Sequence, residues 1–429
     1  PFTDTGEVGF FKQCLENWKT DEEFQEMFIM FYKIDDVMEL NKADKESNNN
    51  YGGRWNNYLH IYDYIYAYNM ELVSSNDVYK TIFDGIGLKS SLSGLSSFYK
   101  DNLTTYEKQK FRKYGIDEDT DIKGHPLAKS GSYFYMNTVD KILEVELKRG
   151  DIPTVFSNCI HSISCIYGME RLVDILKALG KDSLDRSTYY WGDDTSKKSC
   201  LSHLLKVCYP MKDDTAEKLS KLIKDSGINE QRLIETAMYS PQWMDIIGEY
   251  IGIQGFKSGC YYFMAHMNER FDDKKKAMIA KYTPLEMERL HNGAFDLNWF
   301  KEAYDMLGEE NFKKLYDAAK YISDGSKHSR ARKYADAALG RATLSNLEAT
   351  INDKRNKDML MSYGLVPIKD KADILYRYQY LQTFLKESKK FGSQRKASEA
   401  LAVEIALENL AICAGYTDVT RLTLMVETE

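Results

Sequence analysis

The residues with the clearest chemical possibilities stand in small groups. Cys159, His161 and Cys165 lie close together, and His161 and Cys165 share a helix face at i and i+4. Cys200, His203 and Cys208 repeat the theme. Thiolate and imidazole are the ligands zinc prefers, but neither group has the paired short spacings of a structural zinc site, and both read as small buried residues of helices. Asp117, Asp119 and Asp121 begin like a calcium loop. Ile122 and Ala128 then stand where the sharp turn needs Gly and the cation needs a bidentate Glu, so the segment reads as an acidic loop. His266-Met267-Asn268-Glu269 has half of an inverted zincin motif, with Arg270 in place of the second His. Asp84-Gly85-Ile86-Gly87-Leu88-Lys89-Ser90 has the Gly, Lys and Ser of a phosphate loop but follows a helix and lacks the first-Gly spacing. No catalytic residue, cofactor site or metal site is assigned.

Charge is the stronger signal. The 429-residue chain has a net charge of −7, against general binding to nucleic acid or membrane surfaces, yet residues 320–400 hold 17 Lys and Arg against 9 Asp and Glu, leaving −15 for the remainder. Lys327, Arg330, Lys333 and Arg341 fall at helical spacing opposite Ala331, Ala335 and Ala338. Lys386, Lys389, Lys390, Arg395 and Lys396 cluster around Phe391-Gly392. Two such patches could follow phosphates, with Tyr376, Tyr378 and Tyr380 as stacking surfaces, or could be solvated faces paired with the acidic remainder. Glu404 and Glu408 lie between two apolar sides of a helix and should need partners, for which Arg377, Arg395 and Arg421 are the candidates.

The elements that must position these residues are helices. Low proline (7 residues) with abundant Leu, Lys, Glu, Ala and Met favours helix over sandwich. Phe295 to Gly340 reads as three helices closed by Gly308, Asp324-Gly325 and Gly340, with Asp296 and Ser326 as N-caps of the first and third. Further helices are expected from Asp21, over Tyr133–Lys148, Pro153–Tyr167 and Glu170–Leu179, from a capping box at Asp214–Glu217, from Ser240-Pro241, and over Gln394–Ala414. Trp55, Tyr58, Leu59, Tyr62, Ile65 and Tyr66 form an aromatic stripe, and loop 181–198 carries Tyr189, Tyr190 and Trp191 beside Asp193 and Asp194. The fold expected is all-α, an array of antiparallel helix pairs, either a HEAT-like solenoid or an irregular bundle. Its expected divisions are an acidic region 1–130, a helical-repeat region 131–415, and the start of a following element at 416–429.

The seven scattered cysteines read as reduced core thiols of a cytoplasmic protein. No leader and no apolar run of membrane-spanning length is visible. A start at Pro1 and a stop at Glu429, within an element, read as a piece of a longer polypeptide.

Several segments resemble a known group of proteins: Glu235–Trp243, Asn292–Phe300, Leu315–Gly325, Arg355–Asp358 and Ala402–Ala411. They resemble the middle region of large bacterial proteins of unknown function, among them MolR-like molybdate-metabolism regulators, some with a WGR domain elsewhere. The resemblance is firmest over about the last 200 residues. It implies an internal helical segment of a cytoplasmic protein well over twice this length, and it implies no reaction and no catalytic residue to transfer. The reading that follows is a non-catalytic scaffold that binds a protein partner or other domains of its own chain, without a membrane. A nucleic-acid module using the basic third is the second reading, and an enzyme fragment with its chemistry in the flanks the third.

Overall fold

Apolar residues recurring every three to four positions, separated by glycines able to take positive φ, make short helices the local solution over most of this chain. The computed structural model describes residues 13, 17–43, 59–85, 87–99, 103–117, 119–187 and 194–428. Trp55, Tyr58, Glu118, Tyr189, Tyr190, Trp191 and Asp193 lie outside them. The architecture is an all-α array of helices, and the strand content described is one parallel pair of two-residue strands, Ile166–Tyr167 with Cys208–Tyr209. Two compact units emerge: residues 1–181 with 191–209, and residues 182–190 with 210–429. The division expected at residue 130 falls inside the helix Pro126–Glu146.

In the first unit, the helices Asp21–Ala43 and Ile61–Asn69 meet through aromatic rings, with Phe24 edge-on to Tyr66 at 4.8 Å and Trp18 at 5.0 Å from Phe24. Capping boxes fix two later helix starts. Ser74 and Asp77 cap Ser75–Lys80, and Thr104 and Glu107 cap Thr105–Phe111. The segment expected to be helical from Pro153 to Tyr167 is instead a tight 3-10 turn, Ser157–Ser162, followed by the short strand. Its turn is drawn to buried Glu146, which accepts from Ser157 at 2.8 Å, from Thr154, and from Arg149 at 3.0 Å. This ionic cluster replaces the intrahelical bonds the segment would otherwise make.

The second unit holds the helices from Ala216–Ile223 to Val419–Thr428. Asp296 caps Leu297–Ala318 by accepting from Trp299 N at 2.9 Å, as the spacing predicts. Gly308, at φ 70°, breaks that helix at the expected point. Ser326 is not an N-cap, because the next helix begins only at Ser329. Thr215, not Asp214, caps Ala216–Ile223, since Asp214 is drawn into an ion pair with Lys218 at 2.7 Å. The helix Ser393–Cys413 packs against Lys357–Tyr363 and Lys371–Ser388, burying Val403, Ile405, Leu407 and Leu410 while Ile412 is exposed. At Gly364 the approach is so close that a Cβ would collide with the Ala406 carbonyl and lie 2.9 Å from Leu410 N.

Candidate functional site

The helix Ser329–Ala338 carries the first basic cluster, and the structure turns its central cation inward. Arg330 is buried and donates to four carbonyls: His266 at 3.0 Å, Met267 at 2.5 Å, Leu290 at 3.0 Å and His291 at 2.9 Å. These oxygens lie at the ends of the helices Phe256–Ala265 and Met287–Asn292, where carbonyls lack intrahelical donors. A planar guanidinium with five N–H groups satisfies several at once and complements the negative end of both helix dipoles. The expected basic face is therefore interrupted at its centre. Its other members are paired as well, Lys327 with Glu269 at 3.5 Å, Lys333 with Asp358 at 3.5 Å and Arg341 with Glu309 at 3.7 Å.

The second cluster sits on the turn between Lys371–Ser388 and Ser393–Cys413. Beneath it Arg355, in the left-handed region at φ 46°, reaches the buried carboxylate of Glu399 with Nε at 3.1 Å and Nη2 at 2.7 Å. Ser388 donates to the same carboxylate at 2.6 Å and Arg395 at 2.9 Å. Burial alone would raise the Glu399 pKa, but these hydrogen bonds and the Arg355 charge outweigh it and hold it down to about 2. Phe384 and Phe391 flank Arg355 at 3.8 and 5.1 Å, and Arg395 lies 3.8 Å over Phe391. Lys386, Lys389, Lys390 and Lys396 are exposed around this knot. The tyrosines expected as stacking surfaces are tied down: Tyr376 donates to Glu348, Tyr380 to Asn352 and Tyr378 to Thr423.

Glu404 and Glu408 do have an arginine partner, though none of the three expected. Arg289 donates to Glu404 at 3.1 Å and to both oxygens of Glu408. Arg377 instead binds Asp373 and the Val366 and Pro367 carbonyls, Arg395 binds Glu399, and Arg421 pairs with Asp418 at 3.8 Å. Each finds its carboxylate within one helical turn, which removes it from competition. The two glutamates are 56% and 33% exposed, so they sit at a rim.

The remaining motifs resolve into local bonding. His161 and His203 lie 4.8 Å apart with their rings tilted, and each ring hydrogen-bonds a carbonyl, of Asp194 and of Ile163. Among the described residues no group of three or more His, Cys, Asp or Glu is arranged to hold a metal ion. Asp117 accepts from Thr120 and from the Asp119 amide, forming a closed turn. Sequence reasoning missed Arg289, Arg355 and Glu399. Of these only Glu399 carried a signal, the i, i+4 spacing from Arg395.

The fold and these contacts define an all-α protein whose buried charges join helix ends. Residues 1–426 match the model described as Family of unknown function (DUF5724), and the chain belongs to that family. No curated protein and no solved structure matches it. No described helix is long and apolar enough to cross a membrane.

Proposed function

We propose that this chain is a non-catalytic helical interaction segment whose docking point is the basic turn carrying Lys386, Lys389, Lys390 and Lys396. One observation carries the reading. These lysines are exposed on a turn and the two helix ends that flank it, fixed from below by the Arg355–Glu399–Ser388–Arg395 network. A pre-ordered set of cations loses little freedom on binding an acidic surface, so it suits recognition by charge. The occupant is an acidic stretch of a protein partner or of another domain of the same polypeptide. The resemblance to MolR-like proteins favours a regulatory setting in the bacterial cytoplasm. Glu404 and Glu408, the carboxylate pair closest to an enzyme's, share Arg289 at a rim, which favours a structural role.

The second reading, a nucleic-acid module, rests on the same turn. It is weakened at the first cluster, where Arg330 is buried and its neighbours are paired.

Fluorescence anisotropy with a labelled acidic peptide and with labelled single-stranded and duplex DNA and RNA, at low and near-physiological salt, tests both. The expected result is saturable peptide binding lost in Lys389→Glu/Lys390→Glu/Lys396→Glu but retained in the control Lys274→Glu/Lys276→Glu. Tighter, steeply salt-dependent binding of nucleic acid through the same lysines would install the second reading. Equal loss in both variants would reduce the effect to net charge and sink the first.

A further inference from the structure

A cavity of about 850 Å³ opens in the first unit. One wall is the helix Leu88–Tyr99, which contributes Lys89, Ser90 and Ser93. Lys110, on the helix Thr105–Phe111, and Ser162 and Ser164, at and just beyond the 3-10 turn, also line it. The volume lies within the range of small-molecule sites, and the polar part of the lining is made mainly of hydroxyls and ammonium groups, which offer a polar occupant partners.

The charge balance points to an anion. Glu107 is the carboxylate described in the lining, and it is engaged: Ser97 donates to it at 2.8 Å, and the Thr104 amide and hydroxyl each at 2.8 Å. Lys110 stands 4.7 Å over the Tyr62 ring, where burial and then the neighbouring Lys113 charge depress its pKa, so an anion beside it would relieve an unfavourable environment. Lys89 and Ser90 lie in the first turn of their helix, where the dipole also favours negative charge. A second observation is independent of charge. Ser164 lines the cavity, and its Oγ has no hydrogen-bond partner in the free protein.

The lining also limits what the anion carries. The face of Tyr62 is covered by Lys110, and its ring packs edge-on against Phe98 and Phe111 at 5.5 and 4.7 Å. A nucleobase would have to displace the lysine to stack there, whereas a chain of hydroxyls would meet serines. We propose that this cavity binds a small phosphorylated polyol of sugar-phosphate size, with Lys89 and Lys110 on the phosphate and Ser90, Ser93, Ser162 and Ser164 on the hydroxyls.

Titration calorimetry of the whole chain with ribose 5-phosphate, ribose, inorganic pyrophosphate and AMP tests this. Ribose 5-phosphate should bind saturably below about 1 mM and ribose should not. Lys89→Gln, at an exposed position, and Lys110→Gln should each weaken binding about tenfold. Ser164→Ala should weaken binding without lowering the melting temperature, since it removes a hydroxyl that bonds nothing in the free protein. Absence of saturable binding, or affinity unchanged in a folded Lys89→Gln, would overturn the proposal. Pyrophosphate binding as tightly as the sugar phosphate would remove the polyol from it, and AMP binding about tenfold tighter would replace the sugar-phosphate class with nucleotides.

Discussion

Arg330 Nε donates to the carbonyl of His266 at 3.0 Å, while the imidazole of the same histidine bonds the Tyr262 carbonyl through Nδ1 at 2.8 Å and the Asp296 amide through Nε2 at 3.4 Å. A permanent cation and a buried neutral ring thus share one residue of backbone. Arg330→Met removes the donors of four carbonyls and should destabilise the chain by roughly 3 kcal/mol or more. Urea denaturation monitored by tryptophan fluorescence measures it, and a loss under about 1 kcal/mol would mean that water replaces the guanidinium.

His266 sets an acid limit on stability. Burial lowers its pKa from 6.5 to about 4, and the Arg330 charge adds in the same direction against the Tyr262 carbonyl. The unfolded chain takes up a proton near pH 6.5 that the folded chain resists until about pH 4. Stability is therefore complete above pH 6.5 and falls as pH drops through this window, by roughly 2 kcal/mol down to pH 5. Melting temperatures from pH 7.5 to 5 should fall less in His266→Gln than in the unaltered protein. His328, lowered to about 4 by burial and then by Arg186, acts with the same sign, so a residual slope should remain.

Glu399 is the carboxylate on which the basic turn depends. Glu399→Gln leaves Arg355 without its bidentate partner and with only the half-exposed Glu387 at 3.0 Å, and should cost about 2 kcal/mol at neutral pH. Hydrogen exchange across residues 386–396 should accelerate in that variant. Unchanged exchange would separate the turn from the network beneath it.

The Arg289 pairs sit at a rim and predict small numbers. Glu404→Gln should cost no more than about 1 kcal/mol, and Glu408→Gln slightly more because it is the less exposed. Double-mutant cycles with Arg289→Gln give each coupling. A value near 3 kcal/mol for either would place these carboxylates in a drier setting than their exposure indicates.

Gly364 marks a crossing where backbone meets backbone. Gly364→Ala should destabilise by about 2 kcal/mol, because the Ala406 carbonyl and Leu410 amide cannot rotate away as a side chain could. Gly150→Ala, at a position open to space, should be near neutral by comparison.

What the sequence disclosed follows the range of the interactions involved. The Asp296 cap and the break at Gly308 depend on a few neighbouring residues and were legible. Pro153–Tyr167 was not, because a short apolar run suits helix or strand alike, and the bonds of Thr154 and Ser157 to buried Glu146, with the pairing of Ile166–Tyr167 to Cys208–Tyr209 some forty residues away, replace helix there. Arg330 has the same helical spacing as Lys327 and Lys333, yet its acceptors lie up to 64 residues distant, so no local pattern separates it from a solvated charge. Arg289 meets Glu404 across 115 residues, while Arg377 and Arg395 find nearer carboxylates within a helical turn. The all-α class was legible and the choice of ionic partners was not.

The guanidinium of Arg330 serves as the common C-terminal cap of Phe256–Ala265 and Met287–Asn292. Helix ends ordinarily fray one at a time. Here the first end to open deprives the cation of half its acceptors and weakens its hold on the second. The two termini should thus open as one cooperative unit, although Ala265 and Asn292 are 27 positions apart in the chain.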